Sequence, residues 1–263
     1  MRVTLTPLDA PLHPLILKDG SRKAFNPFDR RPSVEAVLDV DSLSDGWYSS
    51  LEPDVEDKPI PGWHGSYQPA FIRLKKRTVT LKGHRMRWLH ARDASTLGDG
   101  AFKEYLCALV GRLVRLEVED ENGYRWSDGF VGAQIPFQSD MGFTTFSIIL
   151  SLESFKHGYA GLFTPVGNRC RVENDGTAPS WPVVIVDNPA GLSFVNVSDG
   201  TGEVNWTGDG TATSVTLYFA GLDPQSGRME RNDVFTIPPG GMDLYVTASK
   251  GSTVTVECAP SWK

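Results

Sequence analysis

Apolar and polar residues alternate in short runs along most of the chain, and one segment only changes period. Val34, Ala36, Leu38 and Val40 alternate with Glu35, Asp39 and Asp41, which predicts a half-buried strand over Val34–Leu43. Phe71–Leu81 and His84–Ala91 read as two further strands, parted by Lys82-Gly83. Leu113–Glu119 resumes period two, Glu121-Asn122-Gly123 supplies a hairpin turn, and Tyr124–Phe137 returns. After a turn at Ser139–Gly142, Phe143–Leu152 places Thr144, Phe146, Ile148, Leu150 and Leu152 on one face. Between residues 99 and 110 the period becomes helical. Phe102, Tyr105, Leu106, Leu109 and Val110 form a stripe and Gly111 is a natural stop. Cys107 falls on a face of that helix and is expected to be a buried small hydrophobe.

Residues 1–32 are rich in proline and turn formers, with fragmentary strand signals at Val3–Leu5 and Leu15–Leu17. They read either as an extended arm or irregular edge, or as a short paired strand. Residues 44–68 form a long polar connection with Pro53, Pro59 and Pro61, and contain Trp63-His64-Gly65. A connection of that length is usually functional or interface-forming. Periodicity lapses over Glu153–Gly167, which marks a domain boundary. Beyond it, Val183–Val186, Leu192–Val197, Val215–Phe219, Asp243–Ala248 and Thr253–Glu257 are strands between Gly, Asp, Asn and Pro turns. The expected protein is therefore mainly β. Residues 1–160 form an α+β domain of antiparallel sheet with one helix, and residues 161–263 an all-β sandwich.

Composition narrows the function classes. The 263 residues are 40% hydrophobic and 22% charged, with a formal net charge of −6. That balance suits a globular protein and disfavours a nucleic-acid surface, although Arg73–Arg77 and Arg85–Arg92 are locally basic. No run approaches the roughly 18 apolar residues of a membrane-spanning helix, and Met1–Leu17 lacks the order of a signal peptide, so synthesis in the cytoplasm is expected. The three cysteines, Cys107, Cys170 and Cys258, are expected to be reduced.

Chemistry is sparse. The histidines at positions 13, 64, 84, 90 and 157 show no zinc-ligand spacing, and neither a nucleophile elbow nor a phosphate-binding loop is present. No catalytic residue, cofactor site or metal site is expected. Asp199-Gly200-Thr201-Gly202-Glu203 resembles a calcium loop only superficially and reads better as a β-turn. Trp181, Trp206, Tyr218 and Trp262 offer flat faces on which a sugar ring stacks; the competing reading makes them core or interface aromatics. A carbohydrate-binding module for host-surface adhesion is accordingly the alternative function.

The ordered set of turns carries a resemblance. Val172-Glu173-Asn174-Asp175-Gly176-Thr177-Ala178-Pro179-Ser180-Trp181-Pro182, then Leu222-Asp223-Pro224 with Gly227-Arg228, Phe235-Thr236-Ile237-Pro238-Pro239-Gly240 and the closing Pro260-Ser261-Trp262 resemble the distal tail proteins of long-tailed bacteriophages. Trp63-His64-Gly65 before Lys76–Gly83, the single helix and the Asn122-Gly123 hairpin agree in order. The resemblance implies a structural, non-enzymatic protein with an N-terminal belt domain, a split barrel related to tail-tube proteins, and a C-terminal galectin-like sandwich. It implies a homohexameric ring at the distal end of the virion tail, between the tail tube protein and the tail hub or tail-associated lysin protein, with receptor-binding proteins anchored in some relatives. DNA would pass through the ring without specific binding, and nothing would insert in a membrane. Trp63 and His64 would belong to an inter-subunit loop.

Overall fold

The first strand sets the architecture. Val3 and Leu5 in β1 (Arg2–Pro7) are buried while Arg2, Thr4 and Thr6 are half-exposed, and β2 (Leu15–Lys18) is buried at every position. The structure is a computed structural model that describes residues 1–19, 34–55, 64, 72–86, 99–140, 143–221 and 226–263. Within it, β1 pairs antiparallel with β2 on one side and with β7 (Leu113–Asp120) on the other. Of the two readings of the N-terminus, the paired strand holds over Arg2–Pro7 and Leu15–Lys18 and the arm is corrected there: alternating Val3 and Leu5 are drawn into the centre of a sheet. The rest of that proline-rich stretch, residues 20–33, lies outside the described residues.

Contacts divide the chain into two units, Met1–Lys156 and His157–Lys263. In the first, β3 (Val34–Leu38) runs parallel to β2 and meets β6 (Arg77–Met86), and a short ribbon joins β4 (Pro53–Asp54) to β5 (Arg73–Leu74). Helix α1 (Asp99–Leu109) follows, then β7, β8 (Gly123–Val131), β9 (Phe137–Asp140) and β10 (Phe143–Leu152). The sheet order β8-β7-β1-β2-β3-β6-β10 returns on itself, because Leu150, Ser151 and Leu152 of β10 pair with Val131, Phe130 and Gly129 of β8. The result is a closed seven-strand barrel, with β9 added beside the start of β10. Closure removes the free edges that an open sheet leaves. It also brings backbones very close: a Cβ on Gly129 would lie 2.1 Å from the Ser151 carbonyl oxygen.

Three expectations change here. Strand β6 runs unbroken through Lys82-Gly83, paired with β10 from Arg77↔Leu152 to Phe143↔Met86. Gly83 is an interior position, not a turn, since a Cβ there would lie 2.7 Å from the Val37 carbonyl oxygen and 2.9 Å from the Phe146 ring. Phe71 and residues 87–91 of the expected runs lie outside the described residues. The helix buries Phe102, Tyr105, Leu106 and Leu109, with Phe102 edge-on to Phe146, but Val110 and Cys107 are exposed. Cys107 stands one residue from the buried Leu106, far enough round a helical turn to leave the sheet-facing stripe. The connection after residue 44 is not simply polar either, because Trp47 is fully buried.

A two-residue strand, β11 (Lys156–His157), carries the chain across the break. The second unit contains β12 (Gly161–Phe163), β13 (Arg169–Val172), β14 (Pro182–Asp187), β15 (Phe194–Ser198), β16 (Glu203–Thr207), β17 (Ser214–Tyr218), β18 (Arg228–Asn232), β19 (Met242–Ala248), β20 (Thr253–Cys258) and β21 (Ser261–Trp262). They form a four-stranded sheet, β12-β20-β14-β17, and a five-stranded sheet, β13-β19-β15-β16-β18. Val184, Val186, Leu217 and Val256 from the first share one core with Val197, Val204, Trp206, Leu244 and Val246 from the second. This is a β-sandwich. Trp206 fills its centre because Gly208 and Gly227 leave room: a Cβ on either would come within 2.4 or 2.5 Å of the indole. Cys170 and Cys258 are buried free thiols, and burial raises both above the usual thiol range.

Replacing Gly129 by Ala tests barrel closure. The two backbones must separate to admit a methyl group, so unfolding free energy should fall by roughly 2–4 kcal/mol in chemical denaturation. Ala at the open Gly111 position, where nothing lies within 4 Å of a built Cβ, should cost only about 1 kcal/mol, through its positive φ of 76°.

Candidate functional site

Three of the segments that carry the resemblance, Val172–Pro182, Phe235–Gly240 and Pro260–Trp262, meet at one buried side chain. Asn174 has no exposed surface. Its Nδ2 donates to the carbonyls of Ala178 and Ile237, both at 2.9 Å, and its Oδ1 accepts from the N–H of Gly176 at 3.0 Å and of Ser261 at 3.3 Å. Its backbone carbonyl accepts from the Gly240 N–H at 2.9 Å. An amide side chain has two N–H donors and two acceptor lone pairs, so every one of its hydrogen bonds is used. Isolated bridges Ala178↔Ser261 and Ser180↔Ile237 complete the junction. Gly176 lies so near the Ser261 backbone that a Cβ would come within 1.9 Å of its oxygen. Leu222, Asp223 and Pro224 lie outside the described residues.

The first unit has a comparable junction made of cations. Arg77 is almost wholly buried, and its Nη1 donates to the carbonyls of Gly46, Trp47 and Ser49. Lys156 Nζ donates to the Trp47 carbonyl at 3.1 Å and stands 5.5 Å from the Trp47 ring centroid. Neither forms an ion pair among the described residues. Burial, then repulsion from Arg77 and Arg125, lowers the Lys156 ammonium to about 8 against a weaker opposing pull from Asp120. Arg77 shares the inward face of β6 with Val79 and Leu81 by simple alternation. That parity was the available signal for it. The partners, Gly46–Ser49, lie in an irregular loop that no period marks.

The four aromatics proposed as glycan contacts are not brought together. Trp206 is buried in the core with Nε1 bonded to the Ser226 carbonyl at 2.7 Å, which rules it out as a stacking platform. Trp262 is half-buried and lies over Gly158, where a Cβ would come within 2.9 Å of its ring. Tyr218 is exposed on the outer face of the four-stranded sheet, in one row with Val183, Glu257 and Leu162. Trp181 is exposed just before β14. Of the expected inter-subunit loop, His64 is exposed and Trp63 lies outside the described residues.

Other polar groups have structural partners. His84 Nδ1 lies 2.6 Å from Asp39, and His157 Nδ1 lies 2.9 Å from the Ser261 hydroxyl. His90 lies outside the described residues. Asp199 Oδ1 accepts from the N–H groups of Thr201 and Gly202 and from the Thr201 hydroxyl, the geometry of a turn. Burial opposes ionisation of Asp199, but these donors outweigh it and hold the carboxyl below its usual range. Among the described residues no group of three His, Cys, Asp or Glu side chains suits a metal ion.

No family model and no curated protein matches the sequence. Solved structures do. The Dit (gp 19.1) protein of phage SPP1, described as a paradigm of the hub adsorption apparatus in phages infecting Gram-positive bacteria, superposes with a TM-score of 0.58 at 15% identity, over 83% of this chain and 91% of that one. A chain of the phage P2 baseplate, in its activated conformation with Ca, superposes with a TM-score of 0.52 at 9% identity, over 98% of this chain and 97% of that one. The chain therefore has the fold of a phage distal tail protein across both of its units.

Two measurements check these junctions. Asn174→Ala removes four side-chain hydrogen bonds and leaves buried partners unpaired, so the sandwich should lose roughly 3–5 kcal/mol in denaturant unfolding. The Lys156 ammonium is depressed in the folded state, so between about pH 8 and the usual lysine range the unfolded chain holds more protons. Stability should therefore rise with pH across that window. Lys156→Met should flatten the rise, which thermal melts of the two proteins at matched pH will reveal.

Proposed function

We propose that this protein is a structural component of a long-tailed phage tail tip, a distal tail protein. Six copies form a ring that joins the tail tube to the tail hub or baseplate and the host-recognition apparatus. The observation that carries the reading is the extent of the fold likeness. It spans 91% of the SPP1 Dit protein, so it includes both the barrel and the sandwich and not a common module alone. The role is one of scaffolding, not catalysis. Its partners are further copies of itself, the tail tube protein, the hub or tail-associated lysin protein and, outward, a receptor-binding protein. The sandwich plays the part of the galectin-like module.

A closed ring needs a surface of each subunit that meets a different surface of the next. The barrel leaves apolar residues for that purpose: Phe143 and Ile149 on β10, Phe137 on β9 and Leu113 on β7 are all exposed. Because barrel closure leaves little free edge, the ring contact is made largely by side-chain faces, with β9 and the Pro53–Asp54 ribbon as the remaining strands able to pair outward. The acidic balance of −6 suits a ring whose bore passes DNA without holding it.

Mass photometry of the purified protein should give a species of six times 28.9 kDa. Phe143→Asp with Ile149→Asp should shift it to monomer while thermal unfolding stays nearly unchanged. A protein that remains monomeric at high concentration, and that also fails to sediment with purified tail tubes, would contradict the proposal.

A further inference from the structure

The sandwich leaves one side open between its two sheets. β12 is the edge of the four-stranded sheet and β13 the edge of the five-stranded sheet. Between them runs a groove of about 740 Å³ lined by Leu162, Phe163, Val166, Arg169, Arg171 and Asp243. Leu162 is 67% exposed and Val166 87% exposed, high values for large apolar side chains that no neighbour covers. All of these residues belong to the second unit.

The edge of β13 is partly used. The Arg169 N–H and carbonyl bond back to Val166, so they point away from β19. Backbone groups alternate sides along an antiparallel strand, so Arg171, two residues on, presents its N–H and carbonyl to the same open side. Among the described residues β13 pairs with β19 alone. Its side chains alternate as well, with Cys170 and Val172 facing the core and Arg169 and Arg171 facing outward. A strand laid beside β13 would turn every second side chain toward Phe163, on the core side of β12, and the intervening ones toward the arginines.

Charge selects the occupant. Two guanidinium groups meet a single carboxylate in the groove: Asp243, 2.5 Å from Arg169. Arg171 makes a hydrogen bond to the Gly240 carbonyl at 2.9 Å and has no ion pair among the described residues. The groove is thus locally positive on a chain of net charge −6. We propose that it is a docking site for an extended segment of a partner protein in which apolar residues alternate with acidic ones, bound as an added strand on β13. This does not rest on the phage-tail reading, which concerns the ring, and each can fail without the other.

The probes are two fluorescein-labelled eight-residue peptides, one alternating Val with Glu and one alternating Val with Lys, titrated into the full chain by fluorescence anisotropy. The Glu peptide should bind about tenfold more tightly than the Lys peptide, and more weakly as salt is raised. Arg171→Glu should cancel or invert that preference. The Arg171 side chain is exposed, so the variant should melt like the parent. Hydrogen exchange at the Arg171 amide should slow on binding. Equal affinity for both peptides, or none up to millimolar concentration, would overturn the proposal. So would binding without protection of the Arg171 amide, which would mean ion pairing without an added strand. Protection that grows with protein concentration in the absence of peptide would assign the groove to a second copy of the chain and equally overturn it.

Discussion

A sheet that closes on itself must end where it began, and here three residue pairs between β8 and β10 bring that about. Leu152 is the pivot of the closure. It pairs with Gly129 on one flank and with Arg77 on the other. The missing side chain at Gly129 lets the strands meet, and Arg77 turns inward at the same level. A buried guanidinium needs acceptors, and the carbonyls of Gly46, Trp47 and Ser49 supply them to Nη1, while Nε and Nη2 are buried with no acceptor among the described residues. Lys156, four residues beyond Leu152, adds a second cation to the Trp47 carbonyl. Closure, the seating of Trp47 and the last residues of the unit are therefore one connected arrangement. Burial, with Arg77 and Arg125 nearby, makes Lys156 harder to charge in the folded barrel, so loss of its proton at alkaline pH favours the fold.

The sandwich solves a related problem with a neutral group. Three segments distant in sequence, around residues 174–180, 237–240 and 259–261, approach without forming a regular ladder. Several of their backbone groups, among them the Ala178 carbonyl and the Ser261 N–H, would otherwise be left unpaired in an apolar interior, at a cost of roughly 1–3 kcal/mol each. The Asn174 amide satisfies four of them at once. Because it sits at a junction and not on an outer face, the turns that look most distinctive in the sequence are structural. The exposed apolar side chains lie elsewhere, on the barrel and at the open side of the sandwich.

Much of this was legible in the sequence. Phe143–Leu152 reads as a strand with its residues correctly sorted between two faces, Leu113–Glu119 and its Asn122-Gly123 hairpin pair as their alternation requires, and the helix lies where the period changes. What escaped the reading depends on contacts between distant residues. Prolines around β1 and β2 leave an irregular arm and a paired strand equally open, and only the placing of β7 and β3 beside their three or four apolar residues decides for the strand. Gly83 looks like a turn because glycine usually is one, whereas here it yields space to Phe146. Trp206 is open to a binding or a core reading because composition carries no depth; the structure decides for the core, with room for the indole left by Gly208 and Gly227. Parity would have found Arg77 on the inward face, but not the carbonyls that hold it.

Barrel and sandwich together have the fold of the SPP1 Dit protein, and the central proposal built on that fold is a place at the end of a phage tail. Negative-stain electron microscopy of particles labelled with gold-conjugated antibody to this protein tests it most directly. The account predicts label confined to the distal end of the tail, at the junction of tube and hub. Label distributed along the tube, on the capsid, or absent from intact particles would contradict it.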